Sequence, residues 1–439
     1  MTSLYSINYH TRAHKRDAFI EFIKSLLLTP FVLHTRPQSA TGALPEDSNF
    51  TNSARKDDCD GGPEGDKNVE RYSEILFCVE ELILDHIRHQ DNKLAELSRL
   101  STLVPSIGRF FTPLPLKESF IKQDAKRSMA ARRFVPPSFN DVRAILNDAQ
   151  VTAIASTVKL ITFDGDMTLY ADGEDFAKDS QLVQLIIELL RNDLYVAIVT
   201  AAGYPGNAAR YQKRLSGLLD GFKMSGLSSE ALGRFYVLGG ECNYLFRYDT
   251  DSHHLVYIAP ETYQPPSVRE WAGNAARISD LLDVAQQTVE ERVNEMGLNG
   301  KVSILRKDRA IGVVSDKQIT LTREQLDEFA LSTQRRLNNY QHTILIREGQ
   351  RPLPFCAFNG GSDVWVDIGN KLIGVQMLQE ILNTTGSETL HVGDQFLSTG
   401  NDISTRTACC TVWITSPEET AEILIELCHL LSKRDRMRI

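Results

Sequence analysis

The sequence predicts an α/β protein: a doubly wound parallel sheet that carries an inserted α+β block and follows a helical N-terminal region. Three observations carry that expectation. The apolar runs at 158–163 (VKLITF), 194–200 (LYVAIVT), 389–393 (TLHVG) and 409–414 (CCTVWI) are each long enough for one buried strand. Amphipathic stretches at 180–193, 371–383 and 417–431 alternate with them. A block of mixed character, 204–357, interrupts the alternation. Buried strands alternating with helices imply a parallel sheet covered on both faces.

The elements follow in chain order. Residues 11–29 place Phe19, Ile20, Ile23, Leu26 and Leu27 at helical spacing, and 70–90 repeat it with Ile75, Leu76, Val79, Leu82, Ile83 and His86. A third helix is expected over 92–103. Residues 36–69 are rich in Gly, Pro, Ser, Asp and Asn and read as a mobile loop. Residues 105–140, rich in Pro and aromatics, read as a wrapped connector. The expected division is therefore 1–150 as the helical region, 151–203 with 358–439 as the sheet core, and 204–357 as the insertion. Within the insertion, RFYVLGG, HHLVYIA, KVSILRK, AIGVVS and HTILIRE look like strands. Ser267-x-x-Glu270 and Thr322-x-x-Gln325 look like capping boxes that open helices.

Composition excludes some functions. Net charge is −9 over 439 residues, which argues against nucleic acid as a partner because phosphate backbones call for a basic stripe. Seven cysteines without a CxxC pair fit free thiols in a reducing compartment, so a cytoplasmic protein is expected. No apolar run is long enough to span a bilayer, and no membrane partner is expected.

Ligands of such sheets bind beyond the carboxyl ends of the strands. The loop after 163 reads Asp164-Gly165-Asp166-Met167-Thr168. One aspartate there can attack a phosphoryl group, and the other can protonate the departing oxygen and then activate water. The loop after 199 offers Thr200 and backbone N–H groups to phosphate oxygens. The loop after 393 offers Asp394, an acid suited to completing an oxygen-only Mg²⁺ site with Asp164 and the backbone at Asp166. Asp402 suits either bracing Lys371 or meeting a metal water. Lys371 opens a helix, where its charge opposes the macrodipole, which favours a functional reason for it. Thr168, Asp363, Asp367 and Asn370 are further candidates for phosphate or ribose contacts. Phe396, Tyr170, Trp365 and Tyr204 are candidate platforms for a base, with Phe396 the best placed, and Arg406 is a candidate substrate contact.

The order DxDxT, strand-end Thr, Lys, then GD…ND resembles the haloacid dehalogenase superfamily over 158–439. That resemblance implies a C2-type cap for the insertion. A narrower resemblance spans nearly the whole chain: LLLTPFVLHT, LVPSIGRFFTPLPL, RRFVPPSFNDVRAILNDAQ, LITFDGDMTLY and HVGDQFLSTGNDISTR are similar to the IMP-specific 5′-nucleotidases of fungi and apicomplexans. It implies Mg²⁺-dependent hydrolysis of IMP to inosine and phosphate through an aspartyl-phosphate. It also implies a homotetramer activated by ATP, with the N-terminal region in regulation. Six residues separate Asp394 from Asn401, more than the superfamily's usual GDxxND spacing. The alternatives are a sugar phosphatase or phosphomutase of the same superfamily, and an inactive nucleotide-sensing scaffold.

Overall fold

The computed structural model describes residues 17–34, 64–132, 134–316 and 319–436. The chain divides into two compact units, one up to Ala149 and the other from Gln150. Among the described residues no helix is long and apolar enough to cross a membrane.

The first unit is helical. Its helices are Ala18–His34, Glu64–Asp91, Arg99–Leu103 and Leu116–Arg127, and Phe139–Ile154 runs across the boundary. Helix Glu64–Asp91 buries Tyr72, Leu76, Val79 and Ile83 at spacings of three and four, the stripe a helix presents to a core. The connector expected at 105–140 contains the helix Leu116–Arg127 and the start of the next one. Of the stretch expected to be a mobile loop, 64–69 lie in a helix and 36–63 lie outside the described residues.

The second unit is mixed α/β around a largely parallel sheet. Its strands are β1 (Leu160–Phe163), β2 (Tyr195–Val199), β3 (Phe235–Gly239), β4 (Tyr244–Asp249), β5 (His254–Tyr257), β6 (Val302–Lys307), β7 (Ala310–Ser315), β8 (Phe355–Asn359), β9 (Asp363–Ile368), β10 (Thr389–Gly393) and β11 (Cys410–Trp413). Seven form one sheet in the order β11-β10-β1-β2-β3-β4-β5, parallel from β11 to β3 and antiparallel beyond. All four residues of β1 are buried, as a strand covered on both faces requires. Helix Gln181–Arg191, capped by Ser180, buries Leu182, Val183, Ile186, Ile187, Leu189 and Leu190. Met377 and Leu378 of helix Lys371–Leu382 pack with Leu160, Ala197 and Val199. From β1 the chain builds outward through β2 and β3, then returns to β1's other side as β10. That reversal opens a crevice at the carboxyl end of β1.

The remaining strands form an antiparallel sheet, β6-β7-β9-β8. One face, with Ile311, Val313, Val364 and Val366, packs on helices Ala275–Glu295 and Arg323–Glu348. Asp363, Trp365 and Asp367, two apart along β9, share the other face.

This pairing divides the chain differently from the expectation. β3, β4 and β5 lie in the expected insertion but extend the large sheet. β8 and β9 complete the small one although the core was expected to resume at 358. The pairing partner decides membership, and a lone strand's sequence does not contain it. HTILIRE is helical, the last turns of a 26-residue helix that starts at the Thr322–Gln325 capping box and stops at Gly349, φ +66°. Ser267 caps nothing, because that helix begins at Pro266 with Pro265 ahead of it.

Candidate active site

The crevice gathers two acids and a threonine from three neighbouring strand ends. Asp164 follows β1, Thr200 follows β2 and Asp394 follows β10, and these strands are adjacent and in parallel register. Glycine is required at 165, where a Cβ would stand 2.4 Å from the Tyr170 hydroxyl and 3.5 Å from Thr200 Oγ1. Thr200 Oγ1 accepts from the Ala202 N–H at 3.1 Å.

Lys371 is fully buried and reaches the acids from the first residue of its helix. Its Nζ lies 2.7 Å from Asp164 Oδ1 and 2.6 Å from Asp402 Oδ1. Burial works against its charge, but Asp164, Asp402 and Glu241 more than compensate and raise its pKa. Asp402 also accepts from His391 Nε2 at 3.0 Å and, through Oδ2, from the Gln395 N–H at 2.9 Å. The Thr162 hydroxyl lies 2.8 Å from His391 Nδ1. A hydroxyl donating there leaves Nε2 carrying the proton that Asp402 accepts. Burial alone would raise the Asp402 carboxyl, but Lys371 and His391 hold it below the usual carboxylate range.

Asp164 and Asp394 go the other way. Burial outweighs Lys371 at Asp164 and pushes it up to about 7. Burial, with Asp164 and Asp402 beside it, pushes Asp394 well above its ordinary value. Asp394 Oδ1 is buried without a hydrogen-bond partner. Two desolvated carboxyls, one with an orphaned oxygen, are a donor set that a hard divalent cation would neutralise. One oxygen each of Asp164, Asp394 and Asp402 lie within 4.8 Å of one another. Both oxygens of Asp402 already accept from protein donors, so Asp164 and Asp394 are the better pair for a metal, and Asp402 is the brace of Lys371.

The other expected residues divide into those near the acids and those the fold uses elsewhere. Asp166 Oδ1 accepts from Arg214 Nη2 at 2.7 Å and from the Gly173 N–H at 3.2 Å. Asp363 accepts from Trp365 Nε1 at 2.8 Å, and burial raises its carboxyl. Asp367 is buried with Oδ2 unpartnered; burial, then Glu241, pushes it well above its ordinary value. Asn370 caps helix Lys371–Leu382, its Oδ1 accepting from the Ile373 N–H at 3.0 Å. Thr168 is sealed from solvent; its carbonyl accepts from Thr420 Oγ1, and its own Oγ1 is buried without a hydrogen-bond partner. Phe396 is 1% exposed and packed between His391 and Trp413 with the Arg406 guanidinium 5.0 Å from its centre, so it presents no free face to a base. Trp365 is covered by Lys307 Nζ at 3.9 Å, and Tyr204 by the Arg210 guanidinium at 5.0 Å. Tyr170 is buried under the Arg214 guanidinium at 5.2 Å.

Sequence reasoning missed Arg214, His391 and Glu241. A histidine inside the apolar run TLHVG was a usable signal for His391, since a strand covered on both faces has no solvent for it. Arg214, 48 residues from Asp166, carried no such signal.

The model of the IMP-specific 5′-nucleotidase family matches residues 1–424. The IMP-specific 5′-nucleotidase 1 of Yarrowia lipolytica is 44% identical, covering 97% of each chain. That of Neurospora crassa is 42% identical over 99% of this chain and all of its own. Among solved structures, a Plasmodium falciparum IMP-nucleotidase mutant with IMP bound superposes with a TM-score of 0.78 at 31% identity, covering 96% of both chains. The same enzyme with ATP bound gives 0.74 at 32% identity, over 96% of this chain and 87% of the other. The chain belongs to the IMP-specific 5′-nucleotidase family, a family of phosphoric monoester hydrolases.

Proposed function

We propose that this chain hydrolyses IMP to inosine and phosphate with Mg²⁺, using the chemistry of the haloacid dehalogenase superfamily. The observation that carries the reading is Lys371 Nζ between Asp164 and Asp402, beside the orphaned oxygen of Asp394, in a chain of this family. Asp164 attacks phosphorus as the bond from phosphorus to the ribose O5′ breaks, and the Asp166 carboxyl gives its proton to that oxygen. Asp166, then a carboxylate, takes a proton from water as the water oxygen attacks the aspartyl-phosphate and the bond to Asp164 breaks. Lys371 balances charge on Asp164 throughout, and Arg214 fixes the Asp166 carboxyl. Asp164, Asp394 and the Asp166 carbonyl would hold Mg²⁺, which supplies charge neutralisation to the phosphate oxygens. Asp363 and Asp367 on the small sheet meet the nucleoside, and that sheet serves as the cap. The helical region before residue 150 serves assembly into a homotetramer and activation by ATP in the cytoplasm; the ATP-bound relative supports the ATP part.

Phosphate release from IMP, GMP, AMP, glucose 6-phosphate and mannose 6-phosphate tests this. Release confined to IMP, lost in Asp164→Asn and helped at low IMP by ATP, is expected. Higher kcat/KM on a sugar phosphate, or wild-type release by Asp164→Asn, overturns the reading; a rate indifferent to ATP overturns the activation alone.

A further inference from the structure

Behind Lys371 lies a fourth carboxylate that the mechanism above does not use. Glu241 sits in the β3–β4 turn, is completely buried, and holds a left-handed backbone at φ +65°, a conformation that is costly for a non-glycine residue. Its N–H donates to the Thr200 carbonyl at 2.9 Å. Its own carbonyl packs so closely on helix Lys371–Leu382 that a Cβ at Gly374 would stand 2.6 Å away. Its Oε1 accepts from Asn401 Nδ2 at 2.9 Å, next to Asp402 in sequence. One residue therefore touches the Thr200 loop, the Lys371 helix and the loop that ends in Asp402.

A purely structural clasp would not call for an acid here. Glu241 Oε2 and Asn401 Oδ1 are both buried acceptors without a donor. A glutamine could keep the bond to Asn401 and add a donor where two acceptors lack one. It would also remove the cost of burying a carboxyl group. Burial pushes the Glu241 carboxyl up to about 7 against the pull of Lys371, and what only the glutamate brings is a third acid, after Asp164 and Asp402, whose ionised form acts on Lys371.

We propose that Glu241 is a positioning residue: it locks the Asp402 loop to the Thr200 loop and, through its charge, holds Lys371 in its place against Asp164. The inference rests on the phosphatase reading. Its test compares wild type, Glu241→Gln and Asn401→Ala by thermal melting and by turnover of both IMP and p-nitrophenyl phosphate.

Glu241→Gln should melt at or above the wild-type Tm, yet lose about tenfold or more in kcat on either ester with KM changed less than about twofold, because a displaced catalytic group costs rate and not uniform binding. Asn401→Ala, which keeps the charge and breaks the clasp, should also lose kcat. Wild-type kcat in Glu241→Gln, or a Tm that falls in step with kcat, overturns the proposal. A wild type that turns over p-nitrophenyl phosphate but not IMP overturns only the substrate reading, and the Glu241 comparison stands on the generic ester. A wild type that turns over neither overturns both.

Discussion

Lys371 Nζ and Asp402 Oδ1 stand 2.6 Å apart with both side chains completely buried. Burying an ion pair is costly unless its remaining donors and acceptors find partners; here Asp164 takes a second Lys371 N–H, and His391 and the Gln395 N–H donate to Asp402. Asp164 and Asp402 together let Lys371 stay charged at full burial.

Asp402→Asn should accordingly be damaging twice. Removing one member of a buried pair strips Lys371 of one of its acids while Asp164 remains at 2.7 Å, at a cost of up to about 3 kcal/mol in stability. A lysine no longer aimed at Asp164 should lower kcat about a hundredfold. Urea unfolding and steady-state kinetics on the folded fraction measure the two separately. Unchanged kcat would show that Asp402 serves the fold alone.

Arg214 offers a contrast, because it is partly exposed and its partner Asp166 is more so. Exposed pairs contribute at most about 1 kcal/mol, so Arg214→Ala should shift stability by no more than that. It should still lower kcat about tenfold, a share of the roughly 10²–10⁴ that a positioned acid supplies. Circular dichroism melts alongside phosphate release decide it; a loss of stability without loss of rate would make Arg214 structural.

How much of this was legible in the sequence depends on the range of the interaction. Asp164, Thr200 and Asp394 were readable because each ends an apolar run, and Lys371 because it opens a helix where a cation is out of place. Which strands share a sheet was not: β3 pairs in parallel with β2 only after helices Ala208–Arg214 and Ser216–Met224 bring it round, and RFYVLGG reads the same in either sheet. HTILIRE misled because its β-branched residues compete with a capping box twenty residues upstream, and the cap with its packing prevailed. Glu241 was hidden by its neighbours, since GGEC looks like an ordinary turn until Thr200 and Asn401 close on it.

Phe396 tests the same boundary between core and site. Two residues after Asp394 in sequence, it suits a base platform; in the fold it is packed among His391, Trp413 and Arg406. Phe396→Ala should cost about 3–5 kcal/mol as a cavity mutation. KM for IMP in the remaining folded protein should move less than about twofold, since no base contact is lost. A raised KM with an unchanged Tm would return Phe396 to the substrate side.

Metal binding should be visible without turnover, through pH. The Asp164 carboxyl rises from 3.8 to about 7 on folding, chiefly by burial. A raised folded-state value means the protonated form is favoured in the folded protein, so that contribution is full at low pH and is lost as pH climbs from near 4 to near 7. Above that range the folded protein carries a desolvated carboxylate, with Asp394 beside it. A divalent cation offsets that cost and must displace protons to bind at lower pH. Mg²⁺ should therefore raise Tm little at about pH 5.5 and clearly more at about pH 8, and Asp394→Asn should flatten the difference. Differential scanning fluorimetry with and without Mg²⁺ across that range measures it. A Tm shift that is the same at both ends would separate metal binding from these two acids.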